Sequence, residues 1–203
     1  MLIVASLTRR AAAAGLAAAL LAAPVVARAK WSRVDADAFQ TKMVQIATHG
    51  LAEKRPAKKT TLLEREVNAY MAVHAKADLP AGVLDPEITI LPDGRLTGRA
   101  MVDLDAVRNS KERGMLSPWA LLRGTTPVEA VGVLRTQKGV GMFTLETASV
   151  GGIPVPKALL QELVAYYSKS ASSPEGVNFE APFRLPANIL EIRTSQGQAL
   201  VVQ

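Results

Sequence analysis

Two histidines and three pairs of neighbouring carboxylates are the side chains here whose chemistry suits catalysis or metal binding. His49 and His74 fall on separate predicted helices, without the H-x-x-x-H or H-E-x-x-H spacing that places two ligands on one helical face. A zinc site needs three or four converging groups. His74 instead continues a helical stripe with Leu63, Val67 and Tyr70, which predicts a partly buried helix residue. Asp85/Glu87 and Asp103/Asp105 are spaced so that each pair shares a strand face, where two carboxylates could divide acid–base work or hold a cation. Both pairs fall at the ends of predicted hairpin strands, where solvated charge is ordinary; Glu64/Glu66 lies at a helix start. No G-x-S-x-G elbow is present, and Gly139-Val140-Gly141 and Gly151-Gly152 lack the Lys-Ser/Thr of a phosphate loop. The chain has no cysteine, which excludes thiol nucleophiles, disulfides and a lipidated cysteine anchor. The expectation is a protein that is not an enzyme, with no catalytic residues, no metal and no cofactor.

The first 29 residues carry an address. Arg9 and Arg10 precede an Ala/Leu run from Ala11 to Ala23, followed by Pro24 and Ala27-Arg28-Ala29. This is the charged, apolar, small-x-small order of a cleaved signal peptide, and the apolar run is too short for a membrane anchor. Residues 1–29 are therefore read as a signal peptide and 30–203 as a single domain, periplasmic or secreted. The adjacent arginines resemble a twin-arginine signal, but Ala12 stands where a larger apolar residue is usual, so the general Sec route is preferred. Removing the leader takes Arg9, Arg10 and Arg28 and no acidic residue, so the net charge falls from +6 to +3. The remaining basic cluster, Lys54-Arg55-Pro56-Ala57-Lys58-Lys59, has no interleaved aromatic residue and predicts a solvated linker rather than a nucleic-acid surface. Its other reading is weak attraction to anionic lipid head groups, a transient membrane contact.

The elements that must position these residues follow from periodicity. Asp35 to Lys54 reads as a helix with Phe39, Met43, Ile46 and Leu51 near one face and Asp35 or Asp37 as cap. Thr61-Leu62-Leu63-Glu64 has the form of a capping box and opens a helix to Ala77. The period then becomes two. Glu87 to Ile90 alternates, Pro92-Asp93-Gly94 turns, and Leu96, Gly98, Ala100, Val102 and Leu104 return on one face. Short helices are expected around 107–113 and 118–122. A second hairpin is predicted from Val128–Thr136 and Val140–Ser149 across Gln137-Lys138-Gly139, with small residues at Ala130, Gly132 and Gly141. Gly151 to Pro156 breaks the sheet ahead of a helix, Lys157 to Ser168, and a last hairpin runs from Pro186 through Gln196-Gly197 to Val202. Antiparallel connections dominate, which predicts an α+β fold rather than a doubly wound sheet.

Three segments resemble small exported bacterial proteins related to the tubular lipid-binding (TULIP) superfamily. Leu62 to Met71 is similar to their "L-T-E-x-E-L-N-A-Y-L" helix start; Phe143 to Glu146 and Gly151 to Leu160 to their strand, "vG-x-i-P-v-P" crossing and helix; Phe183 to Ile189 to their "LP-x-x-I" terminal strand. The resemblance implies a curved antiparallel sheet of hairpins wrapped around two or three amphipathic helices, leaving an apolar groove for acyl chains. Aromatic content of 4% fits walls built from aliphatic side chains. The function expected is lipid binding or shuttling outside the cytoplasm. The proposed lining is Tyr70, Val131, Val133, Phe143, Leu145, Leu159, Leu163, Tyr166 and Tyr167. The partner is lipid or another apolar small molecule, not nucleic acid. A groove filled by the protein's own helix needs the same pattern, so the alternative is an envelope protein-interaction module with a filled core.

Overall fold

The computed structural model describes residues 30–54, 56–109, 124–167, 175–176, 178 and 180–203, and at 107–109, 163–164 and 166–167 the backbone alone. Helix α1 (Arg33–Leu51) is followed by strand β1 (Lys59–Leu63), which runs directly into helix α2 (Glu64–Val73). Strands β2 (Val83–Ile90) and β3 (Arg95–Asp103) form a hairpin, and helix α3 (Leu104–Asn109) follows. Strands β4 (Thr125–Gln137) and β5 (Val140–Val150) form the second hairpin, and β6 (Ile153–Pro154) leads to helix α4 (Lys157–Tyr167). The described chain closes with β7 (Phe183–Arg184), β8 (Glu191–Ser195) and β9 (Gln198–Val202). The fold is α+β, with a curved, open, antiparallel six-stranded sheet in the order β2-β3-β4-β5-β6, β7 joining β5, and a second sheet in the order β1-β9-β8.

Local chemistry explains the hairpins. At the β4–β5 turn Lys138 and Gly139 both take positive φ, 50° and 79°, as the two-residue turn that matches strand twist requires. At the β2–β3 turn Asp93 and Gly94 do the same, at 59° and 80°. β2 is an edge strand, and the outward groups at its Ile88–Ile90 end are met by α2 and by Gly197, whose N–H donates to the Ile90 carbonyl at 2.9 Å. The fully buried Asn68 amide accepts the Ile88 N–H at 2.7 Å and donates to the Ile88 carbonyl at 2.8 Å, while Glu64 accepts the Ile90 N–H at 2.6 Å. The helix thus does for β2 what a further strand would have done.

The compact core lies between α1 and the small sheet. Ile46, Leu185, Ile189 and Val201 bury one another, with Leu62, Ala187 and Ile192 around them. Each fully buried aliphatic side chain contributes ~1.5–3 kcal/mol. Gly50 lets α1 approach closely, since a Cβ there would lie 2.4 Å from the Ala187 carbonyl oxygen. Gln203 donates through Nε2 to the carbonyls of Ala187 (2.7 Å) and Ile46 (2.9 Å), and Asn188 donates to that of Gly50 at 2.7 Å. The Thr136 hydroxyl joins the two sheets, accepting the Ile192 N–H at 2.7 Å and donating to the Ile192 carbonyl at 3.0 Å.

Several expectations change. Thr61 is not a helix cap: residues 59–63 pair with β9, and α2 starts at Glu64 with the Leu63 N–H donating to Glu66. A strand partner elsewhere in the chain overrode the local cap motif. The basic linker therefore leads into a strand, not directly into a helix. On α1, Ser32 occupies the N-cap, Ala36, Ile46 and Gly50 are buried, and Met43 and Leu51 are exposed. Leu104 begins α3 and does not extend the face of β3. Ile153–Pro154 folds back on Ser149–Val150 rather than leaving the sheet. Leu185 to Ile189 is a corner, not a strand, with Leu185 and Ile189 buried, Pro186 and Asn188 exposed, and Ala187 and Asn188 at positive φ. The last hairpin belongs to the second sheet because β9 takes β1 as its other neighbour. The leader (1–29), the expected helix at 118–122 and the end of the one at 107–113 lie outside the described residues.

Asn68→Ala strips both partners from Ile88. A buried backbone group left unmade costs ~1–3 kcal/mol, so a loss of about 2–4 kcal/mol is expected in urea unfolding. An unchanged unfolding midpoint would contradict the role of Asn68 in covering the edge.

Candidate functional site

Five of the six paired carboxylates are engaged by backbone N–H groups or by cations. Asp103 caps α3, its Oδ1 accepting the N–H groups of Asp105 (2.9 Å) and Ala106 (3.0 Å). Asp105 in turn accepts the Gly124 N–H at 2.9 Å. Asp85, at φ 46°, sits in a bulge of β2 that separates it from Glu87, whose carboxylate meets Lys30 at 2.5 Å. Glu64 holds the β2 edge, and buried Glu66 meets Lys42 at 2.6 Å. His74 Nε2 lies 2.6 Å from Asp37 and its ring stands edge-on to Tyr70, so the imidazole braces α2 against α1. Among the described residues no three His, Cys, Asp or Glu side chains come together as a metal site.

What the large sheet does build is an apolar face. Opposed residues of antiparallel strands share a face, and the register puts Ile88 beside Gly98 and Ala130, with Ala148 across from Ala130. On either side run Ile90, Leu96 and Gly132, and Ala100, Val128 and Val150. β5 carries one extra residue, Glu146, between the partners of Val131 and Gly132, and this bulge returns Leu145 and Phe143 to the same face. The Phe143 ring covers Gly132, where a Cβ would lie 2.3 Å from its Cζ. At Gly98 the situation is the reverse: a Cβ there would meet no described atom within 4 Å. The face is therefore floored by small residues, with larger aliphatic and aromatic groups toward the Leu96 and Phe143 side.

The opposite face is polar. Arg99 meets its cross-strand partner Glu129 at 3.1 Å, and Arg95 meets Glu146 at 3.0 Å. Exposed pairs of this kind contribute ~0–1 kcal/mol each and mark the solvent side.

Of the expected lining, Phe143 and Leu145 stand on the apolar face, Leu145 buried. Val131 and Val133 do not: they oppose Thr147 and Thr144 on the polar face, because a strand reverses sides at each residue. Tyr70 stacks on Phe39 with ring centroids 5.0 Å apart, filling the α1–α2 seam instead of facing the sheet. Leu159 is half-buried on α4, a helix that touches β5. The side chains of Leu163, Tyr166 and Tyr167 lie outside the described residues. The residues sequence reasoning missed are the small ones, Gly98, Ala100, Ala130 and Ala148. Gly98 and Ala100 share the parity of Leu96, which was the available signal; Ala148 joins the face of Leu145 only through the bulge at Glu146.

No protein-family model and no curated protein matches the sequence.

Two substitutions separate the faces. Phe143→Ala uncovers Gly132 and is expected to cost about 2 kcal/mol, below the 3–5 of a fully buried phenylalanine, whereas Val131→Thr should stay within ~0.5 kcal/mol. Equal losses in thermal unfolding would contradict the assignment of faces.

Proposed function

We propose that the chain is exported from the cytoplasm and holds the acyl chains of a lipid against the apolar face of the six-stranded sheet, without catalysing a reaction. The observation that carries this reading is that, among the described residues, nothing lies within 4 Å of a Cβ on Gly98, in the middle of a face whose register neighbours are Ile88 and Ala130. A sheet packed on its own helix would fill that position, as Phe143 fills the space over Gly132. Small residues on the floor and aliphatic groups beside them suit a flexible methylene chain, which gains ~0.8 kcal/mol for each buried CH₂. The leader-like residues 1–29 and the resemblance to TULIP-related exported proteins support the same reading.

The second reading, a protein-interaction module of the envelope, draws on the outer edge of β5. Among the described residues, β7 pairs with it only at Val140–Gly141, β6 only at Ser149–Val150, and the Val155 N–H meets the Ala148 carbonyl, so the stretch from Met142 to Thr147 has an edge to which an extended peptide could add.

Gly98→Leu tests the first reading. Its φ is not left-handed and no described atom opposes a Cβ, so the fold should keep its stability while the side chain occupies the space of a ligand. Uptake of a fluorescent fatty acid is expected to fall at least tenfold, and organic extracts of the parent protein from its native host should contain lipid. Unchanged uptake in the variant, together with lipid-free parent protein, would overturn the reading.

A further inference from the structure

We propose that the end of the molecule where the last turn of α1, the 138–139 turn and residues 183–190 meet is a docking surface for an anionic lipid bilayer. Backbone contacts bring these segments together. Asn188 holds the Gly50 carbonyl at 2.7 Å, the Gly139 N–H donates to the Leu190 carbonyl at 2.9 Å, and the Leu185 N–H donates to the Gly139 carbonyl at 2.8 Å. Lys58 joins the same junction, exchanging backbone bonds of 3.0 and 2.9 Å with Gln203, whose side chain holds Ala187.

Large apolar side chains are left in solvent at this end. Leu51 is 87% exposed, Leu190 51% and Phe183 43%. Cations stand among them: Lys138 between the two strands of its hairpin, Arg184 next to Phe183, and Lys54 and Lys58 after Leu51. None of the four forms an ion pair among the described residues. Of the nearby acids, Glu191 is taken by Arg193 at 2.7 Å, and Glu53 is offset by its neighbour Lys54. Leucines at a tip where Lys58, Lys138 and Arg184 leave an excess of positive charge suit the boundary between head groups and acyl chains, where the apolar groups enter and the cations meet lipid phosphate. A protein partner is the poorer fit, because lysine is depleted in protein interfaces. As the step at which cargo would be exchanged, the docking rests on the lipid-holding reading; as a surface, it stands apart from it.

The test is co-sedimentation of the purified protein with vesicles of phosphatidylcholine alone and vesicles enriched in phosphatidylglycerol. Binding is expected on the anionic vesicles and should weaken in near-molar salt, where the screening length falls to ~3 Å. Lys138→Glu and Arg184→Glu should each lower affinity at least about fivefold, the ratio corresponding to ~1 kcal/mol per basic residue near such a surface. Leu51→Ser and Leu190→Ser should also weaken binding, whereas Arg99→Ala on the polar sheet face should not. Equal binding to neutral vesicles, or a loss in Arg99→Ala as large as in Lys138→Glu, would overturn the proposal. Uptake of monomeric fluorescent fatty acid, measured without vesicles, should be the same in Lys138→Glu as in the parent. Uptake without charge-dependent sedimentation overturns the docking surface alone; charge-dependent sedimentation without uptake upholds it and overturns the cargo reading.

Discussion

The amide of Asn68 is the contact on which the arrangement of helices and sheet depends. An edge strand presents a row of unpaired N–H and C=O groups, and burying them without partners is costly. Asn68 offers one acceptor and two donors on a short stem, so it can satisfy both backbone groups of Ile88 from the side of a helix. With Glu64 holding Ile90, α2 is fixed along β2. α1 then follows through the Lys42–Glu66 ion pair, the Phe39–Tyr70 ring contact and the His74–Asp37 bond. Replacing these polar groups by apolar ones of similar size would bring the helices near the sheet but would leave the edge of β2 unmade.

The edge of β2 is thus closed by a helix instead of a further strand. The aliphatic cluster that is fully buried lies elsewhere, around Ile46, Leu185, Ile189 and Val201. The small sheet and α1 build one packed cluster, and on the apolar face of the large sheet Ile90, Leu145 and Ala148 are buried while Leu96, Ala100 and Ala130 are half-buried. The two sheets are joined by the bonds of Thr136 to Ile192, of Gly94 to Thr194 and of Gly197 to the Ile90 carbonyl, and by Leu185 of the core cluster, which reaches Gly141 of β5. Along one face the two glycines differ: Gly132 lies under the Phe143 ring, whereas a Cβ on Gly98 would meet no described atom within 4 Å.

The carboxylates illustrate how position decides chemistry. Asp103, Asp105, Glu64 and Glu66 are spaced as acid–base pairs are spaced, yet each accepts backbone N–H groups at the end of an element. Accepting such bonds stabilises a helix start by ~0.5–2 kcal/mol. Their occurrence in pairs reflects the two N–H groups, or the helix and strand, that a junction exposes together.

By itself the sequence determined what depends on neighbours along the chain. Its alternation and its Asp-Gly and Lys-Gly turns were enough for the two long hairpins, its helical stripe for α4, and their order for an antiparallel α+β fold. The small residues of the apolar face were legible too, but the lining chosen at Val131 and Val133 missed their parity, and a shift of one residue moves a side chain through the sheet. Tertiary structure alone decided what depends on distant partners. Thr61 and Leu62 look like a helix start until β9 supplies a ladder for them, and Leu185 to Ile189 looks like a strand until Gln203 and α1 bend it into a corner. Tyr70 looked like a lining residue until Phe39 claimed its ring. Hydrogen-bond partners more than a hundred residues away, such as Ile46 for Gln203 and Gly50 for Asn188, leave no periodic trace because their effect is fixed by the path of the whole chain.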